Sequence, residues 1–159
     1  MNDALYHGDV NPRQWPSLAE RPMIRQATLD DIPFIMALAA EKYPGRDVEK
    51  DRPWASWCIQ NPDRLVLIGP NSMGCAQVDW IYGHECKARL DVLAARPGPF
   101  WEALRMVRIM VNWARQKGAI GTFKLNAETD VDFAPFASRL GGRKVTTTYY
   151  EIPLEQDHG

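Results

Sequence analysis

The segment from Asp91 to Trp101 (DVLAARPGPFW) carries the groups whose types and order are best suited to chemistry. A carboxylate, Asp91, is followed five positions later by a cation, Arg96. A short loop, Arg96-Pro97-Gly98-Pro99, then leads into a long apolar-periodic run beginning at Phe100. A helix start offers backbone N–H groups without helical partners and the positive end of the helix dipole, which together suit a phosphate-like anion. Arg96 can add a charge-assisted contact to such a group. Against this, Pro97 and Pro99 each remove one backbone donor, and Phe100 and Trp101 put bulk at the first turn. The plain alternative is a tight strand-to-helix turn with Pro99 as a favourable first helical residue.

Other reactive side chains are scattered. Cys58, Cys75 and Cys86 form no paired spacing, and neither do His7, His84 and His158, so no metal site is expected. An odd number of thiols without a framework suits a reducing compartment. Asp79 and Asp91 lie in segments that read as strands, where a solvated or salt-bridged carboxylate beside Arg89 is the simple reading. Tyr149 and Tyr150 are adjacent in a strand-like run, so one of them points inward. His84 falls in a turn and reads as exposed. Large aromatics such as Trp54, Trp57 and Trp80 are most simply core packing.

The elements that must hold these residues follow from periodicity. Met23–Ala27 alternates as a short strand. Thr28 or Asp30 can cap the next helix, whose apolar face is Ile32, Ile35, Met36 and Ala39, with Pro33 confined to the first turn. A second helix is expected over about Val48–Gln60, although it contains Pro53. Strands follow over Arg64–Gly69, Met73–Tyr82 and Cys86–Ala95, the last two joined by a Gly83-His84-Glu85 hairpin turn. From Phe100 to Gln116 apolar residues leave only a narrow polar stripe at Glu102, Arg105, Arg108, Asn112 and Arg115, so this helix is covered on more than one side. A strand over Gly121–Asn126, a short helix through Phe136 to Leu140 and a last strand over Val145–Ile152 complete the order.

The 159 residues, 45% hydrophobic and 25% charged, suit one globular domain. Residues 1–22, with three prolines, read as an arm before a domain over 23–159. A net charge of −1 argues against nucleic-acid binding as the main role. The N-terminal stretch has no apolar core of a signal peptide, and no run approaches a membrane span. The expected location is the cytoplasm.

The order β-α-α-β-β-β-α-β-α-β resembles the GNAT superfamily of acetyl-CoA-dependent N-acetyltransferases over about Met23–Leu154. Three segments carry the likeness: IRQATLDDIPFIMALA, RLDVLAARPGPFWEALRMVRIMVNWARQKGA, and FAPFASRLGGRK followed by TTTYYEI. The resemblance implies an α/β (α+β) fold, with a mixed, mostly antiparallel sheet of about six strands and helices on both faces. It implies acetyl-CoA as cosubstrate, bound by the backbone near Leu93 and Ala95, by Arg96 and Gly98, and at the helix start at Phe100 and Trp101. It also implies Asp91 as the base for an acceptor amine, on a small molecule or a peptide, with Trp54, Trp57 and Trp80 as walls for that acceptor. The tyrosine that often protonates the leaving thiolate falls here on Ala137, which leaves Tyr149 as the substitute acid. At least one of Phe100 and Trp101 is expected to narrow the pyrophosphate site. These departures support a second expectation: a catalytically inactive module that acts as a homo-oligomer or within a larger assembly such as a virus particle.

Overall fold

The computed structural model describes residues 23–81, 85–98, 100–125 and 133–145. The chain runs β1 (Arg25–Gln26), α1 (Ile32–Lys42), α2 (Arg52–Gln60), β2 (Arg64–Ile68), β3 (Ser72–Ile81), β4 (Glu85–Ala95), α3 (Phe100–Gln116), β5 (Phe123–Leu125) and α4 (Ala134–Arg139). The five described strands form one sheet in sequence order. All neighbours are antiparallel except β4 and β5, which are parallel.

Helices cover both faces. On one face α1 and α2 pack through Ile35, Met36, Leu38, Ala55 and Cys58 against Val66, Ile68, Met73 and Cys75. On the other, α3 and α4 pack through Leu104, Met106, Val107, Met110 and Phe136 against Leu65, Leu67, Ala76 and Leu90. Alternation along β2 explains this division, since odd and even positions point to opposite faces. Gly74 lets α3 approach closely, because a Cβ there would lie 2.5 Å from Met110 Cε and 2.9 Å from Met106 Sδ.

One irregularity shapes the middle of β4. Ala76 pairs with Leu90 and Cys75 with Val92, so Asp91 is an extra residue in β4 without a partner across β3. Before it, Leu90 packs under α3; after it, Leu93 also packs there, while Ala94 joins the α1–α2 face. The bulge therefore reverses the facing of the rest of the strand.

The sequence reading differs from the structure in several places. The first strand is two residues long rather than five. The second helix starts at Arg52, after a 3-10 turn over Val48–Asp51, because Pro53 needs a first-turn position where its missing N–H costs nothing. Glu102, expected in an exposed polar stripe, is buried at 3% exposure. The strand expected over Gly121–Asn126 is confined to Phe123–Leu125 within the described residues. Of the strand expected over Val145–Ile152, Val145 is in no strand and 146–152 lie outside the described residues, as do 1–22 and His84. No described helix is long and apolar enough to cross a membrane.

Candidate functional site

Two places near β4 bring together the residues with chemical potential. The first is the end of β4 and the start of α3. β4 pairs with β5 only over Ala88–Leu90, although β4 continues to Ala95. Among the described residues, the β5-facing edge of β4 from Asp91 to Ala95 has no strand partner. Leu93 and Ala95 lie on this stretch, paired across β3 with Gly74 and Ser72.

The loop that follows is built with its charges already matched. Arg96 donates from Nε and Nη2 to the two carboxylate oxygens of Glu41 in α1, both at 2.8 Å, and its guanidinium lies 5.5 Å from the Phe34 ring centre. The hydrogen bond from Arg96 holds the Glu41 carboxyl below its ordinary value. Gly98 is exposed, and a Cβ there would meet only the Arg96 carbonyl at 3.7 Å, so backbone and side chains leave room above it. Phe100 is turned into the core, with its ring 4.6 Å from Phe136 and the Arg139 guanidinium 5.0 Å above it. Trp101 is half-buried.

Glu102, in the first turn of α3, reaches under the loop between β2 and β3. Its Oε1 accepts from Ser72 Oγ at 2.5 Å and from the Asn71 N–H at 3.0 Å, and Oε2 is buried without a partner. This carboxylate ties α3 to the β2–β3 turn. The sequence offers one signal for it: Ser72 in a turn, which needs a partner once buried.

The second place lies on the α1–α2 face around the bulge. The carboxylate of Asp91 accepts from Arg64 and, at 3.2 Å, from Arg89 Nε. Arg64 also donates to Cys58 Sγ at 3.7 Å and stacks on Trp57, 4.6 Å from its ring centre. The Cys58 thiol is pulled down, first by its hydrogen bond with Cys75 and then by the Arg64 charge. That same thiol–thiol contact, together with burial, pushes Cys75 up, so Cys75 stays protonated.

Next to this cluster is a groove of about 330 Å³ whose lining includes Trp57, Asn61, Asp63, Arg64, Gln77, Asp79 and Trp80. Gln77 Nε2 donates to both oxygens of Asp79, at 3.0 and 2.9 Å. Gln77 is 3% exposed and its Oε1 has no partner. Trp57 and Trp80 are each 51% exposed, and Trp54 is 38% exposed, so these rings are not the core packing their size suggested. Gln77 and Asp63 were not singled out from sequence, because a glutamine in a strand and an aspartate in a turn have ordinary solvated readings. The only signal is position, since Gln77 shares a strand face with Cys75 and Asp79.

Of the residues expected at a site, Leu93–Gly98 thus lie at the end of β4 and in the loop after it, whereas Asp91 lies at the mid-strand bulge with its carboxylate on the α1–α2 side. Ala137 is on α4, one position after Phe136. Tyr149 lies outside the described residues. Among the described residues, no group of three His, Cys, Asp or Glu side chains could hold a metal ion.

No protein-family model and no curated protein sequence matches the chain. Solved structures do. The aminoglycoside 6'-N-acetyltransferase AAC(6')-Ih from Acinetobacter baumannii is similar at 17% identity and a TM-score of 0.68, covering 85% of this chain and 100% of its own. A predicted acetyltransferase from Clostridium acetobutylicum, solved with acetyl-CoA, has 16% identity and a TM-score of 0.68 over 87% of this chain and 100% of its own. AAC(6')-Iy, solved with a CoA-containing bisubstrate analogue, has 13% identity and a TM-score of 0.69 over 84% and 98%. The fold of the chain is that of the GNAT acetyltransferases, as its sequence resemblance implied.

Proposed function

We propose that the chain is an acetyl-CoA-dependent N-acetyltransferase acting on an amine of a small molecule or a protein. The observation that carries this reading is the edge of β4 beyond Leu90, which has no described strand partner and runs directly toward the start of α3. Backbone groups on such an edge can pair with an extended ligand, and the helix start beyond them suits an anion. The residues present are compatible with acetyl-CoA: Gly98 has space above it, and the Phe100 ring packs inward rather than over the loop. Leu93 and Ala95 would hold the acyl arm through their backbone, with Gly98, Trp101 and Arg96 near the pyrophosphate, and the bound thioester would supply the acetyl group.

The acceptor must lose a proton from an ammonium with pKa near 10. Asp91 is the base in this reading. Its bond to Arg64 joins two side chains that are 14% and 16% exposed, whereas Arg89 is 51% exposed and makes a single 3.2 Å contact to Asp91. An entering ammonium would therefore displace Arg89 and leave Arg64 in place. Tyr149 is the acid in the same reading.

The ion pair of Arg96 with Glu41 favours a second reading, an inactive module, because it neutralises the side chain that would otherwise meet a phosphate. Calorimetric titration of acetyl-CoA decides between them. Binding, with affinity raised in Glu41→Gln as Arg96 is released, supports the transferase; no heat at millimolar cofactor overturns it.

A further inference from the structure

We propose that the groove between α2 and the end of β3 is a subsite for a small di- or polyamine, which it holds by one ammonium group. The lining of the groove includes one amide oxygen and two carboxylates. Gln77 spends its amide N–H groups on Asp79, and this fixes which atom remains: Oε1, buried and unpartnered. A buried acceptor without a donor is costly, so the position calls for an N–H or O–H from outside the protein. Asp63 and Asp79 add two carboxylates to the same lining.

Among the described residues, the cation that lines the groove is committed elsewhere. Arg64 points its guanidinium at Asp91 and Cys58, and its flat face covers Trp57. Arg89 stands between Asp79 and Asp91, 3.9 and 3.2 Å away, on the exposed side. Among the described residues, an anion would therefore face Asp63 and Asp79 with no uncommitted positive partner, whereas an ammonium finds an amide oxygen and two carboxylates. The half-exposed Trp80 ring offers a π face for the cation or for methylene groups. About 330 Å³ lies at the small end of ligand pockets and suits an aliphatic amine rather than a macromolecule.

Arg64 lines the groove and also bonds Asp91, so a second amine on the same molecule would reach toward the carboxylate at the bulge. That this second amine is the one acetylated rests on the transferase reading; occupancy of the groove does not.

The test is calorimetry on the full chain at low salt without any acetyl donor, using spermidine, 1,4-diaminobutane and butylamine. Spermidine and the diamine should bind, and butylamine, held by the same ammonium contacts, should bind more weakly by about tenfold because it has no second ammonium to reach the Asp91 carboxylate. Asp63→Asn and Gln77→Leu should each weaken spermidine by about tenfold, while Asp30→Asn, on the distant turn before α1, should not. A thermal melt checks each variant; if Gln77→Leu fails to fold, the partly exposed Asp63→Asn carries the test. Absence of diamine binding, or binding that Asp63→Asn and Gln77→Leu leave unchanged, overturns the subsite. A protein that binds spermidine but not acetyl-CoA keeps the subsite and loses the transferase reading; the reverse result does the opposite.

Discussion

Two carboxylates of the molecule, Glu102 and Asp91, are held in opposite ways. Glu102 at the start of α3 is gripped by neutral donors, a hydroxyl and a backbone N–H, in a place closed to solvent. Asp91 at the bulge of β4 is gripped by two guanidinium groups beside an open groove. Neutral donors fix a carboxylate without offering anything that a ligand could replace, so Glu102 acts as a stitch between elements. Charged partners at a solvent edge can be exchanged for another cation, so the second arrangement leaves Asp91 available for chemistry.

The closed region should respond most strongly in stability. Phe100→Ala removes a ring packed between α3 and α4 and should lower the unfolding free energy by about 3–5 kcal/mol in chemical denaturation. Acetyl-CoA affinity measured on the folded fraction should not increase, since the ring does not cover the loop. A clear gain in affinity would show instead that the aromatic blocks the site.

Glu102→Ala should follow at about 2 kcal/mol, because the Ser72 hydroxyl and the Asn71 N–H lose their acceptor. A change below a few tenths would mean that the stitch contributes nothing and that the contrast with Asp91 is empty.

The open region should split its two arginines. Arg64→Ala leaves Asp91 without its better-shielded partner and uncovers Trp57, and should cost about 1–3 kcal/mol. Arg89→Ala should stay within about 0.5 kcal/mol, as surface pairs do. Equal costs would remove the argument that Arg89 is the replaceable partner.

The smallest effect belongs to Glu41. Its carboxyl is lowered by the hydrogen bond from Arg96, so the folded state favours its charged form. That contribution is present above the ordinary value of 4.5 and is lost as pH falls through the lower folded value. Urea midpoints of the wild type and Glu41→Gln should therefore differ slightly at neutral pH and converge in acid. A gap that widens in acid would reverse the sign.

How far the sequence spoke depended on how local the cause was. The span of α3 was legible because seventeen consecutive residues repeat one periodic pattern, and the end of α4 because Gly141 takes a left-handed φ of 73°. The brevity of β1 was not, since its pairing is decided by where β2 ends. At the site, the Asp91 segment could be read from its place before a long helix. The environment of Asp91 could not, because Arg64 is 27 positions away and only the folded sheet brings it there. Glu102 was misread for the same reason: helical spacing places it in the polar stripe, but its partners come from a turn 30 residues upstream.

The bulge at Asp91 also sets a rule for how this chain can drift in length. A strand with regular pleating can lose a residue near its end with only local damage. Here, deletion of one residue between Leu90 and Leu93 would remove the bulge and restore regular alternation, leaving Leu93 toward α3 and Ala94 toward the α1–α2 face, so that both helices would keep their contacts. Natural variants should therefore accept a one-residue gap at the bulge with the packing of both helices intact, so that this strand can lose its carboxylate without losing its place in the core.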